Sequence, residues 1–174
     1  MIEIERVARI IREVAAEEIM PRWRNLAGAD VVEKTGPSDI VTVADRAAEE
    51  QLSHRLSELI AGSRVIGEEG VHADPSVMQH FGSGDPVWVI DPIDGTSAFA
   101  KGERAFAVMV ALVRGEELLA GWILAPASGE MHMGERGSGV WRARDGEVQR
   151  LMRPSIPTVE KSLIGLLGRR NMSE

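Results

Sequence analysis

One junction constrains this chain more than any other stretch. Four apolar residues, Val87 to Ile90, run directly into Asp91-Pro92-Ile93-Asp94-Gly95-Thr96. The apolar part predicts a short strand buried on both faces. The part after it predicts the strand's end, because Pro92 has no N–H to give a sheet and Asp94-Gly95 is turn chemistry. Two carboxylates therefore stand where a rigid segment stops, followed by Gly95 and Thr96 with backbone N–H groups to spare. Acids three apart, with Pro92 limiting the backbone between them, can converge on one point. Uncompensated, they would repel by about 3–4 kcal/mol at ~4.5 Å and an effective dielectric of ~20. A divalent cation turns that repulsion into coordination. Mg²⁺ favours carboxylate and carbonyl oxygens, and the Ile93 carbonyl lies between the two acids. Gly95 permits close approach of a ligand, Thr96 adds a hydroxyl, and N–H groups opening a helix or turn suit phosphate. A solvated Asx-type turn explains a lone Asp-Gly, but not two acids fed by an apolar strand.

A second stretch repeats the pattern. Arg64-Val65-Ile66-Gly67 reads as a short strand, and Glu68-Glu69-Gly70 follows at its end. Neighbouring strands that end on one side would bring Glu68 near Asp91 and Asp94. Thr42 has the place of a helix N-cap and Asp45 the acidic position of a capping box, so Asp45 has a structural role beside any chemical one. The helix it opens is expected to reach about Ile60, burying Ala48, Leu52, Leu56 and Leu59, with Gly62 as its stop.

The remaining segments read as scaffold. Residues 3–24 predict an amphipathic helix through Ile4, Val7, Ala8, Ile11, Val14, Ala15 and Ile19, kinked or ended by Pro21. Residues 25–38 read as a loop or irregular strand around Gly36-Pro37-Ser38, and on residue type alone Lys34 is a solvated lysine. Residues 71–86 read as a loop with a short helical turn near Val77–Phe81. Past the central junction, Ala105–Val113 and Leu118–Ala125 predict a hairpin. Strands are expected at Met131–Gly134, Gly139–Arg142 and Val148–Leu151, the last two joined by a tight Asp145-Gly146 turn. The Met and Trp residues there are expected in the core. His72, His80 and His132 have no partner at metal-ligand spacing. Pro154 and Pro157 punctuate a loop before Ser162–Leu167, which reads as a buried strand.

Composition narrows the function. A chain of 174 residues can bury a real core. Its net charge of −7 argues against nucleic acid and anionic membrane surfaces as partners. The absence of cysteine excludes disulfides, thiolate catalysis and Cys-based metal sites. No apolar run reaches transmembrane length and the N-terminus reads as a charged helix, so a cytoplasmic protein is expected.

Together these motifs resemble the inositol monophosphatase-like family of Mg²⁺-dependent, lithium-sensitive phosphatases, over residues 1 to about 167 and in the family's order. Gly67-Glu68-Glu69 is similar to its Gly-Glu-Glu motif. Trp88 to Thr96 resembles its long Trp-x-Ile-Asp-Pro-Ile-Asp-Gly-Thr signature. Ser38 to Asp45 resembles the segment before its second helix, and Gly134 to Trp141 its Gly-rich segment after the sheet. The resemblance implies an α+β fold of two N-terminal helices on a mostly antiparallel sheet, the first half of a layered α/β/α/β/α sandwich. Residues 1–151 would form that half and 152–174 the start of a truncated second domain.

Carried over by position, the resemblance implies that Glu68, Asp91, the Ile93 carbonyl and Asp94 hold two or three Mg²⁺ ions. Gly95 and Thr96, with Asp94 and Lys34, would meet the substrate phosphate. Thr96 and Asp45 would place and deprotonate the attacking water, with Glu68 or Glu69 beside it. The implied reaction is in-line hydrolysis of a small phosphate monoester by a homodimer. Inositol phosphate, histidinol phosphate, fructose bisphosphate and a phosphoadenosine nucleotide all remain open as substrate. Two departures stand out. Position 98 is Ala where many members have Asn. The sequence also has no Trp-Asp-x-Ala motif, whose aspartate the family uses for its second metal. The expectation is a chain without the family's C-terminal half, with weak turnover alone. The rival readings are a catalytically inactive metal-binding or assembly module and a plain acidic structural domain.

Overall fold

A computed structural model describes residues 3–36 and 39–152. The predicted strand at 162–167 and the proposed second domain lie outside these residues. Helix α1, Ile4–Val14, buries Ile4, Val7, Ile11 and Val14 at helical spacing. The stripe continues through a π-helical turn, Ala15–Ile19, which buries Ala15 and Ile19. The helix ends there rather than at residue 24, because Pro21 cannot donate to the preceding turn and its ring blocks a further α-helical turn.

Of the stretch expected as a loop or irregular strand, Val31–Gly36 forms β1, which pairs irregularly with β2, Asp39–Thr42. Gly36 pairs with Asp39 at the end of that ladder. Helix α2, Val43–Ser57, starts where expected. The Thr42 side chain accepts from the Ala44 N–H, and Asp45 closes the capping box. It stops at Ser57, short of Ile60, and leaves Leu59 half-buried against the core. Gly62, at φ +78°, takes its left-handed turn in the connection beyond, so it does not cap the helix. The buried stripe of α2 holds Ala44, Ala48, Leu52 and Leu56, and also two carboxylates, Asp45 and Glu49.

The main sheet has seven strands in the order β3-β4-β5-β6-β7-β8-β9. They are β3, Arg64–Gly67; β4, Pro86–Asp94; β5, Ala107–Arg114; β6, Glu117–Ala125; β7, Glu130–Glu135; β8, Gly139–Arg144; and β9, Glu147–Leu151. Strand β3 runs parallel to β4, and each later pair is antiparallel. A parallel pair needs a crossover. Here it consists of helix α3, Glu68–Ala73, and a 3₁₀ segment, Pro75–Gly82. The turn after β8 is as predicted, with Asp145 at φ 52° and Gly146 at φ 82°.

Helices α1 and α2 cover one face of the sheet. Trp88, Ile90, Val110, Leu112, Trp122, Leu124, Met131 and Met133 fill that core. The Trp88 and Trp122 rings lie 6.0 Å apart. The Trp122 indole N–H donates to the Ile4 carbonyl at 3.0 Å, tying β6 to the first turn of α1. Strand alternation puts Val89, Asp91, Met109, Ile123 and Val140 on the opposite face, which borders a concavity of about 690 Å³. Ile123 and Val140 are exposed there. No helix among the described residues is long and apolar enough to cross a membrane.

Candidate active site

The first correction at the site concerns the strand itself. Pro92 does not end β4, which continues to Asp94. The ladder to β5 shifts register between Asp91 and Asp94, so Pro92 and Ile93 sit in an irregularity where no N–H is required. Pro92 and Ile93 are buried while Asp94 is exposed, so the shift sends the second acid out toward solvent.

The parallel register then assembles the acids. Gly67 pairs with Ile90, so Glu68, the first residue past β3, follows beside Asp91, which still lies within β4. Glu68-Glu69-Gly70 forms the first turn of α3. Asp91 is held up at about pKa 7. Burial is the largest cause, followed by the charges of Glu68 and Asp94, a hydrogen bond shared with Glu68, and the charge of Asp45. Two carboxyls joined by a hydrogen bond require a proton between them. The Asp91 Oδ1 atom is buried without a hydrogen-bond partner. An orphaned, buried carboxylate oxygen facing other acids fits a hard cation, since every donor nearby is oxygen. Among the described residues, no three acidic or histidine side chains stand as a finished cage. Glu68 and Asp94 are both on the exposed side.

Asp45 lies on the other flank. It is 1% exposed. Its Oδ2 accepts from the Thr42 N–H at 2.8 Å and the Thr42 hydroxyl at 2.5 Å. Its Oδ1 lies 3.3 Å from the Thr96 hydroxyl, which also lies 2.9 Å from the Ile93 carbonyl. Burial raises the Asp45 carboxyl to about 6, against the lowering effect of its Thr42 bonds. The N-cap role and the site role therefore fall on different oxygens of one carboxylate. Thr96 links Asp45 to the Ile93 carbonyl, and hence to the loop between the two aspartates.

Gly95 takes φ +86° ahead of the short helix α4, Thr96–Ala100. A Cβ there would stand 2.6 Å from the Ala105 carbonyl oxygen. Both a left-handed backbone and a close approach thus demand glycine. Gly95→Ala is expected to cost about 2 kcal/mol, from strain of order 1–3 kcal/mol. A melting temperature within a degree of wild type would show that the loop yields freely. Ala98 is buried in α4. Lys34 falls in β1, and its side chain is outside what is described. His132 lies 3.7 Å from Glu130 on β7, three strands over from Asp91.

Sequence reasoning passed over Glu49. Its carboxylate accepts from the Glu69 N–H and the Gly70 N–H, each at 2.8 Å. Burial pushes its pKa up, opposed by those two bonds. A signal was present, since Asp45 and Glu49 are four apart on the stripe that buries Ala48 and Leu52.

Comparison with known proteins places the chain in a family. The family model described as "Inositol monophosphatase family" matches residues 3–173. A fructose-1,6-bisphosphatase/inositol-1-monophosphatase of Thermotoga maritima is 36% identical over 133 residues, 76% of this chain and 47% of that protein. An inositol-1-monophosphatase of Mycobacterium leprae is 33% identical over 138 residues, 79% of this chain and 47% of that protein. Among solved structures, a Thermotoga maritima IMPase superposes with TM-score 0.66 at 33% identity, covering 82% of this chain and 52% of that one. The extragenic suppressor protein suhB of Bartonella henselae superposes with TM-score 0.60 at 28% identity, covering 80% and 51%. The chain spans about half the length of the curated relatives it matches. On the family match over residues 3–173 and these relatives, this chain belongs to the inositol monophosphatase family.

Proposed function

We propose that the chain contributes a Mg²⁺-dependent site for hydrolysing a small phosphate monoester. The observation that carries this reading is Asp91, a part-buried carboxyl with an orphaned oxygen, hydrogen-bonded to Glu68 and within the field of Asp94 and Asp45. Glu68, Asp91, the Ile93 carbonyl and Asp94 would hold the cation. Bound Mg²⁺ supplies Lewis acidity, which makes water more acidic near pH 7 and neutralises charge on phosphoryl oxygens.

The chain's own groups do the rest. The Gly95 and Thr96 N–H groups open α4 beyond its internal ladder, and suit phosphate oxygens. Asp45 Oδ1 can take a proton by way of the Thr96 hydroxyl, and a carboxyl near 6 is matched to work close to neutral pH. Glu69, whose charge acts on Asp45, would help hold that base in its raised state. Lys34 is retained as a phosphate-side contact on family resemblance alone. The substrate is a small phosphorylated metabolite, and a homodimer in the cytoplasm is the working setting.

The test is phosphate release from inositol, fructose, histidinol and phosphoadenosine phosphates, with Mg²⁺ and with EDTA. Mg²⁺-dependent release that disappears in Asp94→Asn is expected. Thermal stabilisation by Mg²⁺ without release would instead assign a cation-binding module. Neither effect would leave a plain acidic domain.

A further inference from the structure

Among the described residues, Glu49 is the one buried acid whose position is explained neither by the helix it stands on nor by the reaction. It is 9% exposed, on the core stripe of α2, yet its two oxygens face the start of α3. We infer that Glu49 is a positioning residue: by clamping the Glu69 and Gly70 N–H groups it fixes the entry of α3 and sets Glu68 against Asp91. The inference rests on the cation site proposed above, but the clamp itself has its own readout.

Three features support the clamp. One carboxylate oxygen serves each N–H, Oε2 to Glu69 and Oε1 to Gly70, so both lone-pair directions are used along the same helix start. A carboxylate there also complements the positive end of α3. Without it, a six-residue helix opening on two adjacent glutamates has little reason to hold one entry angle. Finally, Gly67 is shaped around Glu49. A Cβ on Gly67 would lie 2.3 Å from the Glu49 carboxyl carbon, and Glu49 atoms are the nearest it would meet. The Gly67 backbone, at φ −102°, is open to any residue, so the glycine is required by Glu49 and not by the chain's path. The Gly-Glu-Glu sequence thus reads as a seat for the clamp followed by the acids it aims.

Glu49→Gln separates clamping from packing. It keeps the volume but turns an NH₂ toward one of the two N–H donors, so one bond is lost. The probe is Mn²⁺ alone, with free ion counted by electron paramagnetic resonance, alongside amide exchange at Glu69 and Gly70. The expected result is at least a tenfold loss of Mn²⁺ affinity and faster exchange at both amides. Leu56→Val, at the far end of α2, is expected to lower the melting temperature yet keep affinity within twofold. Gly67→Ala should reproduce the Glu49→Gln loss, and should do no further harm when added to Glu49→Ala. Where Glu49→Gln melts too low to assay, that pair of Gly67 comparisons decides.

Wild-type affinity in a folded Glu49→Gln, or unchanged exchange at Glu69 and Gly70, would overturn the inference. Equal losses in Leu56→Val would also overturn it, by reducing the effect to stability. Should the wild-type chain bind no Mn²⁺, the cation reading falls. Amide exchange then decides the clamp alone, faster exchange upholding it and unchanged exchange refuting it.

Discussion

Asp91→Asn is expected to raise the melting temperature of the cation-free protein at pH 8 by about 4–8 °C, at 2–4 °C per kcal/mol for a chain of this size. The same change should abolish stabilisation by Mg²⁺ and reduce Mg²⁺-dependent phosphate release at least a hundredfold. A substitution that stabilises the fold while removing the activity identifies a group whose charge is tolerated for function. The folded carboxyl titrates at about 7, against an ordinary value of 3.8. Between these values the folded state binds more protons than the unfolded chain, so stability falls as pH rises from about 4 through about 7. The full shift corresponds to about 4 kcal/mol. Partial exposure of the group reduces that to about 2 kcal/mol.

Asparagine carries no charge at any of these pH values, and its NH₂ can donate to Glu68, where two carboxylates could share only a proton. The advantage of Asp91→Asn should therefore be largest at pH 8 and vanish near pH 4. Melts in EDTA at closely spaced pH values measure it directly. A variant that melts below wild type at pH 8, or a difference independent of pH, would show that Asp91 is not held against its charge.

Trp122→Ala should be the most damaging single change to the fold. The residue is 1% exposed and its ring packs near Trp88. Truncating a buried Trp to Ala costs about 3–5 kcal/mol, and the structure around a rigid strand cannot collapse to fill the hole. Loss of the indole N–H also removes the bond to the Ile4 carbonyl, worth about 1 kcal/mol. Against a typical total of about 5–15 kcal/mol, the variant should be largely unfolded at 37 °C. Trp122→Phe, which keeps most of the ring, should lose about 1–2 kcal/mol instead. Urea unfolding at 25 °C distinguishes them. A Trp122→Ala loss under 1 kcal/mol would mean that α1 is not seated on β6.

Much of the scaffold was readable because its signals are local. The apolar repeat of α1, the Thr42–Asp45 capping box, the β5–β6 hairpin and the Asp145-Gly146 turn each depend on residues within a few positions of one another. The misreadings arose where tertiary pairing overruled a local rule. Pro92 looked like a strand end, but a bulge supplies a place in β4 that needs no N–H. Glu68-Glu69-Gly70 read only as acids at a strand end, but Glu49 from another helix caps it into α3. Residues 25–38 left loop and irregular strand both open, and pairing of β1 with β2 in front of α2 decides for the strand.

For the site, the sequence by itself determined which chemistry is possible. Two strand ends carry acids, a glycine and a threonine follow one of them, and there is no cysteine to offer softer ligands. Only the tertiary structure decided which acids meet. The parallel register of β3 on β4 sets Glu68 beside Asp91, α2 delivers Asp45 to Thr96, and burial makes those carboxyls reluctant to ionise. Residue types are written along the chain, whereas desolvation and like-charge crowding exist only once distant segments pack, and these give the site its appetite for a cation.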